Sequence, residues 1–163
     1  MVMYERRDKN ELSFHEDEII LAKMIMDEAR TTLEFLYYLM NHKGELTFTI
    51  ILISADDMRN MKSLLQQWKR GTDILLEIDK ENNIYMLICQ STDIVGGKKF
   101  GEILMSNIFM YNSLSYCVET EVKTTLYAVQ EVIFKMVEQY IEKKHYKESN
   151  KVFITTPEEI EYN

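Results

Sequence analysis

Apolar positions first form a regular pattern between residues 16 and 41, where they are separated by alternating steps of four and three residues. They are Ala22, Met26, Ala29, Leu33, Leu36 and Met40. This spacing predicts a long amphipathic helix with a coiled-coil-like seam. Ser13 and Glu16 match a capping box at its start, and Gly44 matches a helix stop. The seam either packs on the rest of its own chain or forms a dimer stalk, and the pattern leaves both open.

Strand patterns begin after this helix. Residues 46–54 are dense in β-branched and aromatic side chains, which predicts a buried strand. Apolar residues then recur at helical spacing through residues 55–69. Two further strands, at 73–78 and 84–90, are separated by the polar residues 79–83 and predict a β-hairpin.

The second half of the chain continues the alternation of helices and strands. Its predicted elements are a helix from Asp93 or Gly96 through Ile108, a strand at 113–120, a helix at 122–146 and a strand at 151–155, with an acidic tail from Pro157. After the leading helix the order is therefore β-α-β-β-α-β-α-β. This order predicts an α+β fold, namely a ferredoxin-like βαββαβ core with an extra helix and strand, preceded by a long N-terminal helix. We divide the chain into an N-terminal helical segment, 1–43, and a domain, 44–163.

Net charge, apolar run length and cysteine content limit which partners and which cellular compartment are expected for this chain. A net charge of -8 argues against nonspecific binding to nucleic acid or to an acidic membrane surface, although a local basic site could still hold an anion. No apolar run is long enough for a membrane span, and the charged residues 1–18 do not resemble a targeting segment. Cys89 and Cys117 are expected to be buried free thiols, which predicts a reducing, cytoplasmic location.

The segment Arg70-Gly71-Thr72-Asp73 stands directly before the predicted hairpin and is the main candidate for chemistry. The planar fork of an arginine can bind a guanine edge or a phosphate through two hydrogen bonds, and an aspartate can accept from the N–H groups of guanine. A purely structural role competes with this one, in which Arg70 and Asp73 cap the preceding helix and stabilise the start of the hairpin. The histidines, His15, His42 and His145, are scattered without zinc-ligand spacing, so no metal or cofactor is expected.

The predicted order of elements, with R-x-x-D before a hairpin, resembles the GGDEF domain of diguanylate cyclases over residues 46–155. Phe100-Gly101-Glu102-Ile103 also stands where that family often has a phenylalanine, an acid and an aliphatic residue. The resemblance implies a ferredoxin-like core of GGDEF type. Several departures imply that the domain is catalytically inactive. The turn reads Asp79-Lys80-Glu81-Asn82-Asn83 without glycines, Ser54 replaces the metal-binding aspartate at the end of the first strand, and the segment with the guanine-binding residues is missing.

What remains of the family pattern is the inhibitory-site motif, which in such domains binds cyclic di-GMP. The resemblance therefore implies a bacterial, catalytically inactive receptor or regulatory module, similar to receptors of the PelD type. Arg70 and Asp73 would bind the ligand. Because no arginine follows Arg70, Lys98 or Lys99 would assist. The alternatives are a ligand-free protein-interaction module that dimerises through its N-terminal helix, and residual activity on GTP.

Overall fold

The structure is a computed structural model, and it describes residues 2–44 and 46–157. The helices are α1 (Val2–Lys43), α2 (Met61–Trp68), α3 (Ile94–Phe109) and α4 (Val129–His145). The strands are β1 (Phe48–Ala55), β2 (Ile74–Asp79), β3 (Ile84–Gln90), β4 (Ser115–Val122) and β5 (Val152–Thr155). The order of helices and strands is the predicted one, and the α+β fold class is confirmed. The predicted acidic tail lies outside the described residues from 158 onward.

The five strands form one sheet in the order β2-β3-β1-β4-β5. β1 pairs antiparallel with both β3 and β4, β2 pairs antiparallel with β3, and β5 is added parallel to β4. The predicted hairpin is therefore the pair β2–β3. Its start, where the R-x-x-D motif lies, is at an edge of the sheet.

Helices cover both faces of the sheet. Alternate residues of β1 point to opposite faces, so Ile50 and Leu52 join a core with α1 and α4, while Ile51 and Ile53 join a second core with α2 and α3. Cys89 and Cys117 are buried free thiols in this second core, as predicted. No helix in the described ranges is both long enough and apolar enough to cross a membrane.

The apolar seam of α1 packs against the protein's own sheet and α4. Its buried residues are Leu21, Ile25, Ala29, Leu33, Leu36 and Met40. Ala22 and Met26, which the sequence pattern placed in the seam, are only partly buried. The buried positions are mostly four residues apart, because a helix that packs on its own domain keeps the ordinary 3.6-residue period. The pattern left open whether the seam packs on its own chain or forms a dimer stalk. In the structure the seam packs on its own chain.

Several predicted boundaries were wrong. α1 begins at Val2, so Ser13 and Glu16 lie inside the helix, since no glycine or proline interrupts the chain before Gly44. Gly44, with φ +77°, does end the helix, and its N–H donates to the carbonyl of Met40 at 3.1 Å.

The junction of β4 and α4 also differs from the prediction. Val122 pairs with Phe48 as the last residue of β4, and α4 starts only at Val129. α2 is shorter than predicted because β1 continues to Ala55. Asp57 and Asn60 then take left-handed conformations that no helix accommodates.

Candidate functional site

Arg70 and Asp73 form a two-pronged ion pair between α2 and β2. The guanidinium Nε of Arg70 donates to Oδ1 and Oδ2 of Asp73 at 3.1 and 3.2 Å, and its Nη2 donates to Oδ1 at 2.8 Å. The backbone N–H of Arg70 also donates to Oδ2 at 2.9 Å. The Asp73 side chain is 0% exposed, whereas that of Arg70 is 53% exposed. The aspartate is therefore an internal anchor, and the arginine is the member of the pair that reaches solvent.

A second set of contacts ties Arg70 to the end of β3. Its Nη2 donates to the hydroxyl of Thr92 at 2.6 Å and to the carbonyl of Gln90 at 3.2 Å. The side-chain amide of Gln90 donates to the carbonyl of Thr72 at 2.9 Å. The hydrogen bonds with Asp73 raise the pKa of Arg70 above its ordinary value. The guanidinium is thus held in one orientation by the protein itself.

Arg70 borders a shallow depression of about 500 Å³. The described residues that line it are Thr47, Arg70, Ser91, Thr92, Asp93, Gly96 and Glu121. The two carboxylates that line the depression accept hydrogen bonds from the first turn of α3. Asp93 accepts from the N–H of Gly96 at 2.8 Å, and Glu121 accepts from the N–H of Ile94 at 3.1 Å. Arginine supplies the cation of this depression, and the N-terminus of α3 adds partial positive charge beside it.

Lys98 and Lys99 are exposed on α3 and do not line the Arg70 depression. Lys98 borders a groove between α3 and β5, and Lys99 borders another depression with Ile103. The structure therefore brings Arg70 and Asp73 together. It places Lys98 and Lys99 on surfaces of α3 that lie outside the Arg70 depression.

The hairpin turn is closed by side chains. Oδ1 of Asp79 accepts from the backbone N–H groups of Glu81 and Asn82 at 3.1 and 3.3 Å, and its Oδ2 accepts from the side-chain amide of Asn82 at 2.7 Å. Asn83 takes φ 51°, and its side-chain amide donates to the carbonyl of Met58 at 2.8 Å. Asparagine and aspartate thus stabilise this turn through side-chain hydrogen bonds and a left-handed backbone conformation, where other turns use glycine.

The end of β1 carries an uncharged, buried pair. Ser54 is buried, and its hydroxyl accepts from the hydroxyl of Tyr140 at 2.7 Å. Burial raises the pKa of Tyr140 well above its ordinary value, so the phenol stays protonated and donates. Among residues 16–44 and 46–157, no group of three or more histidine, cysteine, aspartate and glutamate side chains is arranged to hold a metal ion.

Thr92 and Gln90 were not predicted as partners of Arg70. They lie about twenty residues further along the chain, and only the pairing of β2 with β3 brings them close. The polar stop after an apolar strand, Gln90-Ser91-Thr92, was the signal that could have pointed to them.

Three solved structures share this arrangement of elements. The first is a microbial GGDEF domain described in a novel interaction mode with cyclic di-GMP, with TM-score 0.59 and 5% identity over 78% of this chain and 90% of that one. The second is the GGDEF domain of DgcB from Caulobacter crescentus in complex with cyclic di-GMP, with TM-score 0.54 and 9% identity over 79% and 90%. The third is the diguanylate cyclase SiaD from Pseudomonas aeruginosa in complex with its activator SiaC, with TM-score 0.57 and 10% identity over 94% and 71%.

No family model matches the chain, and no curated protein matches it either. At identities of 5 to 10% the likeness defines the fold. The chain therefore has a GGDEF-like fold, as the order of its elements predicted.

Proposed function

We propose that the chain is a catalytically inactive GGDEF-like domain that acts as a cyclic di-GMP receptor or regulatory module of a bacterial cytoplasm through its R-x-x-D motif. One observation carries the proposal. The fork of Arg70 is fixed by a buried aspartate, yet about half of its side chain faces solvent beside a depression. Nε and Nη2 already donate to Asp73, Gln90 and Thr92, so Nη1 is the group that would contact a guanine edge or a phosphate. An arginine held in this way loses little side-chain entropy on binding.

The two residues of the motif have different roles in this proposal. Arg70 contacts the ligand, and Asp73 holds Arg70, because both carboxylate oxygens already accept hydrogen bonds from it. Lys98 and Lys99 lie on α3 outside the depression, so in this proposal they add only long-range positive charge and do not contact the ligand. The fold supports the ligand class, since two of its structural neighbours are GGDEF domains studied with cyclic di-GMP.

Catalytic inactivity is supported by the residues at the end of β1 and in the hairpin turn. Two-metal transfer of a nucleotide needs carboxylates that hold both ions against the triphosphate. Ser54 offers a buried hydroxyl that is hydrogen-bonded to Tyr140, and Asp79 uses both of its oxygens within the turn. Incubation with GTP and magnesium is expected to give no cyclic di-GMP by chromatography, and formation of product would contradict this part of the proposal.

Calorimetric titration of the protein with cyclic di-GMP tests the receptor role. We expect micromolar binding that disappears in Arg70→Ala and weakens in Arg70→Lys, since lysine keeps the charge but cannot form the two-pronged pair with Asp73 that holds the side chain in place. Arg59→Ala is the matched control, because Arg59 is an exposed arginine outside the depression. Absence of heat from the unmodified protein at high ligand concentration would overturn the proposal.

A second candidate is a protein-interaction module, and an exposed face of α1 favours it. Ile20, Phe35 and Tyr38 are 55 to 59% exposed and lie on one side of the helix, opposite to its buried seam. Light scattering of the unmodified protein is expected to give a dimer if this face pairs with a second copy. The double substitution Ile20→Glu with Phe35→Glu would then give a folded monomer. A monomer at every concentration of the unmodified protein would exclude pairing through this face.

A further inference from the structure

A groove of about 670 Å³ lies between α3 and β5, away from the R-x-x-D motif. Within the described ranges it shares no lining residue with the Arg70 depression. Its volume falls within the range of small-molecule sites in proteins, which runs from about 300 to 1,000 Å³. The groove is therefore large enough for a ligand of mononucleotide size.

Two of the residues that border this groove are lysines. Lys98 lies on α3 and Lys151 directly precedes β5, and both are exposed. In the part of the chain that the structure describes, neither ammonium group forms an ion pair or a hydrogen bond. Lys143, by contrast, pairs with Glu148 at 2.9 Å. Unneutralised lysines on either side of one groove favour an anion, even in a chain with a net charge of -8.

Apolar side chains form part of the surface of this groove. Met105 is buried, Val152 is half-buried, and Phe109 is 59% exposed. An exposed aromatic face beside buried aliphatic atoms favours a planar ring, because stacking covers both with little loss of side-chain entropy. The carboxylate of Glu102, which also lines the groove, can accept hydrogen bonds from ring N–H groups.

The carboxyl group of Glu119, which lies near the groove residue Val152, adds no negative charge at neutral pH. Glu119 is buried beneath α3, where a Cβ placed on Gly101 would clash with its Oε2 and lie 3.0 Å from Val152 Cγ2. Burial is the main cause that raises the pKa of Glu119 to about 8, so the carboxyl group is mostly protonated at pH 7. The charge of the groove is therefore set by two lysines and one glutamate.

We propose that the α3–β5 groove is a second ligand site, which binds a mononucleotide-sized anion with a planar ring. Lys98 and Lys151 bind the phosphate, the ring lies against Phe109 and Met105, and Glu102 accepts from the N–H groups of the ring. This site is independent of the receptor role of Arg70.

GMP is the probe that tests this proposal, by titration of the isotope-labelled full chain followed by amide NMR. We expect saturable shifts at Gly101, Ser106 and Val152. Lys98→Ala and Lys151→Ala should each weaken binding about two- to fivefold, as for exposed ion pairs. Phe109→Ala should weaken binding of GMP but not the response to inorganic phosphate, because only the nucleotide carries a ring.

Lys99→Ala is the matched control, because Lys99 is an exposed lysine on the same helix outside the groove. All four substitutions replace exposed side chains, so the variants are expected to fold. The absence of saturable shifts up to about 10 mM GMP, an affinity too weak for a specific site, would overturn the proposal. So would equal weakening by Lys99→Ala, or shifts confined to Arg70 and Thr92. Arg70→Ala should leave the GMP-dependent shifts of the groove residues unchanged while removing the response to cyclic di-GMP, which separates the two proposals.

Discussion

At the scale of single residues, the pair Arg70–Asp73 has the structural role that its spacing allowed, and the proposed ligand role would use the same contacts. The ion pair stabilises the start of the hairpin, and the same contacts hold the arginine toward solvent. Loss of a charged hydrogen-bond partner lowers the stability of the fold more for a buried carboxylate than for an exposed one, because solvent does not replace the partner. Under the proposed receptor role, stability and ligand affinity are therefore coupled at this motif and must be measured together.

Asp73→Asn separates an anchoring role from direct contact with the ligand. The amide nitrogen of asparagine would face the donors of Arg70, so we expect the free energy of unfolding, measured with urea, to fall by about 1–3 kcal/mol. Affinity for cyclic di-GMP should fall with it, because Arg70 is no longer held. Unchanged stability with lost affinity would instead assign Asp73 to the ligand.

Glu119 predicts a pH dependence of stability. Its pKa is raised from 4.5 to about 8 in the folded protein, through burial on β4 and the nearby charge of Glu102 on α3, partly offset by the hydrogen bond with Cys117. The unfolded chain releases this proton at lower pH than the folded chain, so stability should fall as pH rises from about 4.5 to 8. The total loss is expected to be a few kcal/mol, since each pKa unit corresponds to about 1.4 kcal/mol.

Glu119→Gln should remove this dependence and stabilise the protein above pH 7, because the amide is never charged. Denaturant unfolding at a series of pH values measures it. Glu138→Gln, on the exposed face of α4, is the control and should leave the profile of the unmodified protein in place. Parallel profiles of unmodified protein and Glu119→Gln would contradict the prediction.

At the scale of elements, the close seating of α3 on the sheet depends on glycine. Gly101→Ala would bring a methyl group into the buried carboxyl group of Glu119 and close against Val152. We expect a net loss of about 1–3 kcal/mol from overpacking, although alanine favours the helix by up to about 1 kcal/mol. Gly96→Ala is the control, since its methyl group would make only ordinary contacts at 3.4 Å. If Gly101→Ala were as stable as Gly96→Ala, the helix would not be seated this closely.

The elements themselves were largely predictable, and their junctions were not. Strand and helix periods differ along most of the chain, so the order of elements follows from local pattern. Val122 fits both the end of a strand and the apolar stripe of a helix, and only its pairing with Phe48 decides between them. The same limit applies to the site. The Arg70–Asp73 pair is local, whereas the contact with Thr92 depends on the register of the sheet.

At the scale of the whole molecule, α1 and the sheet share one hydrophobic core. The proposed division into a helical segment, 1–43, and a domain, 44–163, therefore describes sequence regions whose apolar surfaces are buried together in the structure. Residues of α1 should influence the stability of the sheet as strongly as residues of the sheet itself. A free stalk would leave the sheet unaffected.

Leu33→Ala distinguishes these two arrangements. Leu33 is 1% exposed within the core formed by α1, α4 and the sheet. We expect its truncation to lower the free energy of unfolding by about 2–5 kcal/mol, the usual cost of a buried leucine. Phe35→Ala removes a larger but exposed side chain of the same helix and should change stability by less than about 0.5 kcal/mol.

Urea unfolding followed by far-ultraviolet circular dichroism and by Trp68 fluorescence should give coincident single transitions in both variants. Separate transitions, or a sheet insensitive to Leu33→Ala, would mean that α1 folds apart from the domain and that its seam is free to bind a partner.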